Sequence, residues 1–163
     1  MPTIELITHI AAPVERCFDL SRSIELHQRS LVDNRERAVA GVTRGLIGIG
    51  ESVVWEARHF GIRQRLTSRI TAFDRPRHFR DSMVAGAFAR FDHDHWFEAD
   101  AAGHTVMRDV FDYDAPLGML GRIAEWGFLT RYMRRLLTKR NEVVKRVAES
   151  DEWERYLAAE RAG

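Results

Sequence analysis

The chain has 163 residues, of which 45% are hydrophobic and 30% are charged, and its formal net charge at pH 7 is +1. This length suggests one domain with a core of useful size, and the near-zero charge gives no reason to expect a nucleic-acid partner. Cys17 is the single cysteine, which excludes an intrachain disulfide and favours a reducing compartment. No apolar stretch is long enough to cross a bilayer, and the first residues lack a signal-peptide pattern. We therefore expect a soluble, cytoplasmic protein.

Alternating apolar and polar residues predict a chain that is mostly sheet up to residue 113. The first strand spans 3–11, and two short helices follow it, one after Pro13 and one around 24–31. Further strands are predicted at 37–43, 51–60, 62–73, 78–84, 88–98 and 105–113. Short turns join the later strands, so these strands should pair in antiparallel fashion.

A long helix is predicted over 117–147. In its second half, apolar residues from Leu129 to Val147 recur at helical spacing, and basic residues between Arg131 and Arg146 take the opposite face. The first half is apolar all round, which indicates that it is covered by more than one element or lines a cavity. We interpret the basic face as a solvated surface, with contact to a membrane surface or an acidic protein as the alternative. The tail from 149 to 163 predicts a short helix that docks on the domain or contacts a partner.

The strand 88–98 carries the most chemical information. Its two-residue period places His93 and His95 on one face with two phenylalanines, which should be the inner face. On the neighbouring strands, Asp81 and Asp109 also lie between apolar residues, and Tyr113 shares the face of Asp109. Buried charges are costly unless they are paired or hydrogen-bonded. We therefore expect the two carboxylates to accept hydrogen bonds from the two imidazoles.

Three interpretations of this cluster compete. It is a structural network that sets strand register, a patch that orients a ligand in an apolar pocket, or a metal or acid–base site. A His-x-His pair on a strand is a weak metal signal alone, and no further His or Cys takes an obvious inner position. We therefore assign no metal and no cofactor from the sequence.

The order of elements resembles the START/Bet v 1-like superfamily, also called SRPBCC or polyketide cyclase/dehydrase-like, over residues 1 to about 148. The closer resemblance is to a bacterial ligand-binding branch. It is carried by the motifs Arg75-Pro76-Arg-His-Phe79-Arg-Asp81-Ser-Met83, His93-Asp-His95-Trp-Phe97-Glu98, Met107-Arg-Asp109 and Tyr113-Asp-Ala-Pro116-Leu117-Gly118-Met-Leu-Gly121. The turn Gly86-Ala87-Phe88 departs from the Gly-Pro-Phe of that pattern.

The resemblance implies an α+β helix-grip fold, in which a curved antiparallel sheet of about seven strands wraps around the long C-terminal helix. It implies a domain over 1–148 followed by a helical tail over 149–163. It also implies a cavity between sheet and helix that binds a hydrophobic or amphipathic small molecule, such as a lipid, a quinone or a polyketide-like compound. The predicted wall residues are Trp55, Met83, Phe91, Phe97, Phe111, Met119, Ile123 and Trp126, and the predicted polar anchors are Asp81, His93, His95, Asp109 and Tyr113.

Two other functions stay open. The first is an enzyme of the aromatase/cyclase type in the same pocket, with His95 or Asp109 as the base and Tyr113 as the proton donor. The second is a protein-interaction module that uses the basic helix face and the tail, and a homodimer belongs to the same set of alternatives. The main expectation is a binding protein and not an enzyme.

Overall fold

The computed structural model describes residues 3–114 and 123–158, and for residues 123–126 it describes the backbone alone. The strands are β1 (Thr3–Ile10), β2 (Arg37–Gly41), β3 (Ser52–His59), β4 (Ile62–Asp74), β5 (His78–Ala85), β6 (Arg90–Ala99) and β7 (Thr105–Asp114). The helices are α1 (Val14–Ser21), α2 (Ile24–Ser30), α3 (Ile123–Ala148) and α4 (Trp153–Leu157), and a 3-10 turn spans Val32–Asn34.

The strands form one antiparallel sheet of seven strands in the order β1-β7-β6-β5-β4-β3-β2. The strands β2 to β7 pair in sequence because each is joined to the next by a connection short enough for antiparallel return. The strand β1 pairs with β7 at the far edge, and the two short helices fill the gap in sequence between β1 and β2. The predicted fold class is therefore confirmed: a helix-grip α+β domain. The predicted start of the long helix, at residue 117, lies outside the described residues.

One core cluster is organised around Phe18 of α1. Its ring contacts Phe73, Phe79 and Phe97 edge-on, with ring centroids 5.3 to 5.4 Å apart. The C-terminal half of α3 closes this cluster through its buried valines, and Cys17 is fully buried within it. Cys17 is thus packing material, in line with the apolar face that its spacing predicted.

A second core cluster lies between β1, β6, β7 and the earlier turns of α3. It contains Ile4, Phe91, Phe111, Tyr113, Leu129 and Leu137. The two clusters contact different parts of α3: the first packs against Val143, Val144 and Val147, and the second against Leu129 and Leu137.

The helix α4 docks on the body of the domain. The guanidinium of Arg16 lies 4.3 Å above the ring of Trp153, and Arg29 donates hydrogen bonds to Glu152 and to the hydroxyl of Tyr156. Leu157 is buried against the first core cluster. The described part of the tail therefore packs on α1 and α2. None of the described helices has the length and hydropathy of a membrane span.

Candidate functional site

A cavity of about 340 Å³ lies between the inner face of the sheet, α2 and α3. This volume falls within the range of small-molecule sites, about 300–1,000 Å³. Most of its wall is apolar: the described lining includes Ile24, Ile47, Val53, Trp55, Ala57, Leu66, Ile70, Phe79, Phe88, Phe91, Phe111, Leu129, Met133, Leu136 and Leu137. Buried polar side chains also line it, among them Ser68, His93, His95 and Arg140, together with the partly exposed Asp81.

The predicted site residues divide into three groups. Trp55, Asp81, Phe91, His93, His95 and Phe111 line the cavity. Met83, Phe97, Asp109 and Tyr113 lie outside its lining. Met119 lies outside the described residues, and Ile123 and Trp126 fall in the part of α3 whose side chains are not described.

The second group is displaced from the cavity by other packing. Phe97 is covered by the ring of Phe18 at 5.3 Å. The hydroxyl of Tyr113 is 2.7 Å from Thr130 Oγ1. Asp109 is fully buried behind the two imidazoles. Its carboxylate therefore acts on the cavity through the histidines and not by direct contact.

Strand register brings the histidines and carboxylates together. Asp81 of β5 is directly opposite His93 of β6, and His95 is directly opposite Asp109 of β7. The hydrogen bonds run diagonally: His93 Nε2 to Asp109 Oδ1 at 3.2 Å and His95 Nε2 to Asp81 Oδ1 at 3.1 Å. The predicted pairing of the two imidazoles with the two aspartates is therefore present.

Two neighbours of Asp109 on α3 were not predicted from the sequence. Asn141 Nδ2 donates to Asp109 Oδ2 at 2.6 Å, and Arg140 Nη1 lies 3.6 Å from Asp109 Oδ1. Arg140 is buried, and its Nη2 donates to the backbone carbonyl of Ser21 at 2.9 Å. The sequence did indicate that both residues face inward, because positions 140 and 141 lie three and four residues after Leu137 and so fall on the apolar stripe of the helix.

The environment sets the charge of the cluster. Burial, together with repulsion from His95, lowers the pKa of His93 to about 4. Burial by itself favours the protonated form of Asp109, but the hydrogen bond from His93 and the contact of His95 Nδ1 at 2.7 Å outweigh it and hold the pKa of Asp109 well below its ordinary value. The pKa of Asp81 is lowered in the same way, with burial opposed by the hydrogen bond from His95. Near neutral pH a neutral His93 therefore lies beside two ionised carboxylates, of which Asp81 lines the cavity.

The outer face of the same strands has its own charged cluster. His78 Nε2 is 2.6 Å from Asp94 Oδ1, and Arg80 donates two hydrogen bonds to the same carboxylate at 2.8 and 2.9 Å. The side chain of Arg80 is 43% exposed, so water completes its solvation. The side chains of His78 and Asp94 are each 13% exposed, so this outer cluster is a partly buried ion-pair network that reaches water through Arg80. It provides a matched control for the inner cluster.

A protein-family model described as "Polyketide cyclase / dehydrase and lipid transport" matches residues 1–149. The chain belongs to this family. The polyketide cyclase/dehydrase and lipid transport family is the group that the sequence motifs resembled, and membership suggests that a hydrophobic ligand is bound. The comparison with curated proteins gave no match.

Solved structures agree with the family fold. TTHA0849 from Thermus thermophilus has a TM-score of 0.69 at 19% identity, over 88% of this chain and 97% of that one. The ginseng major latex-like protein 151 from Panax ginseng has a TM-score of 0.66 at 14% identity, over 91% and 98%. Ara h 8.0201 has a TM-score of 0.62 at 14% identity, over 88% and 97%. At these identities the likeness shows the fold alone, and function must be argued from the cavity.

Proposed function

We propose that this member of the family binds and carries an amphipathic small molecule with a flat apolar body and a neutral polar oxygen. The supporting observation is the cavity of about 340 Å³ with apolar walls and a group of buried polar side chains. Burial of apolar ligand surface contributes roughly 25 cal/mol per Å² and supplies most of the affinity. The polar side chains fix the orientation of the ligand.

Arg140 supports the polar end of this proposal. Among the described residues, its Nη1 has no hydrogen-bond partner, although it lies near Asp109 and lines the cavity. A buried donor without an acceptor costs about 1–3 kcal/mol. A carbonyl or hydroxyl oxygen of the ligand would remove that cost.

Asp81 supports the neutrality of the ligand. Its side chain is 23% exposed and lines the cavity, and its lowered pKa keeps it ionised. A ligand carboxylate beside Asp81 would meet a like charge in a setting of low dielectric. A phenol, a ketone or a quinone meets no such repulsion, and a phenol can donate to Asp81.

The test uses three probes with the same apolar body: naphthalene, 2-naphthol and 2-naphthoate. Each displaces 1-anilinonaphthalene-8-sulfonate from the purified protein, followed by fluorescence. We expect 2-naphthol to bind most tightly and 2-naphthoate to bind less tightly than 2-naphthol. Absence of saturable binding by all three, or equal binding of all three, contradicts the proposal.

A variant that fills the cavity with a larger side chain tests whether the ligand binds there. Ala57 is buried and lines the cavity, so Ala57→Trp is expected to abolish displacement. The matched control is Ala99→Trp, which adds the same side chain at an exposed position at the end of β6. Both variants are checked for folding by circular dichroism. Equal binding by the two variants would place the ligand elsewhere.

One observation favours an enzyme of the aromatase/cyclase type as the second candidate. The imidazole of His95 lines the cavity and lies between Asp81 and Asp109, which is the arrangement of an oriented general base. Tyr113 and Asp109 lie outside the lining, so His93 and His95 are the groups that would touch a substrate. Turnover of an aromatic polyketide mimic by the wild type, lost in His95→Gln, would favour the enzyme over the carrier.

A further inference from the structure

Four imidazole nitrogens face two carboxylates at one end of the cavity. His93 Nε2 and His95 Nδ1 lie 3.2 and 2.7 Å from Asp109 Oδ1. The other two nitrogens, His95 Nε2 and His93 Nδ1, lie 3.1 and 3.8 Å from Asp81 Oδ1. Each imidazole therefore presents one nitrogen to each carboxylate.

The hydrogen bonds use only two of these four approaches. His93 Nε2 pairs with Asp109 Oδ1 at 3.2 Å, and His95 Nε2 pairs with Asp81 Oδ1 at 3.1 Å. His95 Nδ1 makes no hydrogen bond within the described part of the chain, although it lies 2.7 Å from Asp109 Oδ1.

His93 Nδ1 and His95 Nε2 both face the carboxylate of Asp81. In the tautomers that place both N–H groups toward Asp109, these two nitrogens and the Asp81 carboxylate are available to one cation. We infer that Asp81, His93 and His95 form a binding site for a divalent transition-metal ion that faces the cavity. No metal was predicted from the sequence, and this site does not depend on the proposed ligand function.

The distances fit a single ion. One donor atom from each of the three residues lies within 4.8 Å of the others. Two atoms that each lie about 2.1 Å from one ion are about 3.0 Å apart at a right angle and about 3.4 Å apart in tetrahedral geometry. The separations of 3.1 and 3.8 Å from Asp81 Oδ1 to the two nitrogens lie close to these values. The three donor atoms lie within 4.8 Å of one another, so side-chain rotations that shorten the longer separations would complete the site.

The charges around the site also favour a cation. Arg140 forms an ion pair with Asp109, and Asn141 donates a hydrogen bond to it. Within the described residues, Asp81 makes ion pairs with the two histidines and with no lysine or arginine. A divalent ion supplies the missing positive charge at Asp81. The guanidinium of Arg140 contributes to the lowered pKa of Asp81 but pairs with Asp109.

Asp109 has the role of a positioning residue. Metal-binding histidines commonly donate their second N–H to a carboxylate, which sets the tautomer and the ring orientation. Here one carboxylate serves both rings and is itself held by Asn141. Two imidazoles and one carboxylate suit Zn²⁺, Fe²⁺ or Co²⁺ better than Mg²⁺ or Ca²⁺, which prefer oxygen ligands. The three protein ligands leave coordination positions open to the cavity.

The first experiment titrates the full chain with CoCl₂ and follows the visible absorption of bound Co²⁺, then displaces the ion with ZnCl₂. We expect one saturable site in the wild type. Asp81→Asn and His95→Gln should weaken Co²⁺ binding at least about 10-fold, and Asp109→Asn should weaken it about 10- to 100-fold. The matched controls His78→Gln and Asp94→Asn change the same residue types on the outer face of the same strands and should bind as the wild type does.

A second measurement needs no variant. Nitrogen-15 chemical shifts of the imidazoles in the wild type, recorded during a ZnCl₂ titration, report which nitrogen binds the ion. We expect large shifts at His93 Nδ1 and His95 Nε2, with the protons retained at His93 Nε2 and His95 Nδ1. A folded wild type without a saturable Co²⁺ signal, shifts confined to other histidines, or equal binding by Asp81→Asn overturns the inference. Both readouts are made without a hydrophobic ligand, so their failure is separate from failure of the proposed carrier function.

Discussion

Two clusters that pair histidine with aspartate lie on opposite faces of the sheet, the outer one on β5 and β6 and the inner one on β5, β6 and β7. The inner cluster consists of Asp81, His93, His95 and Asp109, and the outer cluster of His78, Arg80 and Asp94. Both pair imidazoles with carboxylates at hydrogen-bonding distance. In the outer cluster the guanidinium of Arg80 is 43% exposed to water. In the inner cluster the carboxylate of Asp109 is instead paired with Asn141 and with the buried Arg140.

The comparison teaches that burial and not residue type decides the consequence of such a cluster. Exposed ion pairs contribute about 0–1 kcal/mol because water screens them and would otherwise solvate both partners. A buried cluster is strongly coupled, because loss of one member leaves the others uncompensated in a medium of low dielectric. The inner cluster should therefore respond to single substitutions far more than the outer one, and four measurements test that difference.

The largest difference is expected for the central carboxylates. Asp109→Leu removes the acceptor for His93 and Asn141 and leaves Arg140 buried without its counter-charge. We expect a loss of about 3–5 kcal/mol in the free energy of unfolding, measured by urea denaturation. The outer counterpart, Asp94→Leu, should cost less, about 1–2 kcal/mol, because Asp94 is 13% exposed but its partner Arg80 is 43% exposed and can be solvated by water. Equal losses would remove the distinction between the clusters.

The second prediction concerns pH. The pKa of His93 is lowered from 6.5 to about 4 in the folded protein, so the unfolded chain takes up a proton at higher pH than the folded chain does. The contribution of His93 to stability is therefore complete above pH 6.5 and is lost as the pH falls toward 4, by about 3 kcal/mol in total. Unfolding curves at intervals across this window should show the loss in the wild type and a smaller one in His93→Gln. The control Thr71→Val changes no titratable group and should keep the wild-type slope. An unchanged slope in His93→Gln would contradict the assignment.

The third prediction compares the stability cost of replacing Arg140 at the cavity with that of replacing Arg80 on the outer face. Arg140→Met keeps most of the apolar length of the side chain but removes the donor to Ser21 and the charge beside Asp109. We expect a loss of about 2–3 kcal/mol in the free energy of unfolding, with weaker binding of 2-naphthol. Arg80→Met on the outer face should cost about 0–1 kcal/mol and leave binding unchanged. Unchanged 2-naphthol affinity in a folded Arg140→Met would separate this residue from the ligand.

The smallest effect is expected at Tyr113, and it tests where the ligand site ends. Tyr113→Phe removes a buried hydroxyl that is bonded to Thr130 and lies outside the lining. We expect a loss of about 1 kcal/mol in stability and no change in 2-naphthol affinity. The comparison variant Thr71→Val loses a hydroxyl pair with Ser82 on the exposed surface and should change stability by less than about 0.5 kcal/mol. A marked fall in affinity for Tyr113→Phe would extend the site to that residue.

Much of this arrangement could be predicted from local pattern. The two-residue period along 88–98 placed His93 and His95 on the inner face, and the same period placed Asp81 and Asp109 beside them. The cost of burying charge then required the pairing that is present. The position of Arg140 and Asn141 on the apolar stripe was also visible, but no local rule identified Asp109 as their partner.

The lining of the cavity could not be predicted in the same way. Phe91 and Phe97 share one strand face, yet only Phe91 borders the cavity, because Phe18 of α1 covers Phe97. The position of a residue along its strand sets the sheet face on which its side chain lies, so the two-residue period of the sequence predicts that face. What fills the space above that face depends on elements distant in the chain, whose packing is settled only when the whole sheet closes on the helices. The sequence by itself therefore determined the sheet, the helices and the inward direction of the ionisable groups, and the tertiary structure decided which of these groups meet each other and which meet the cavity.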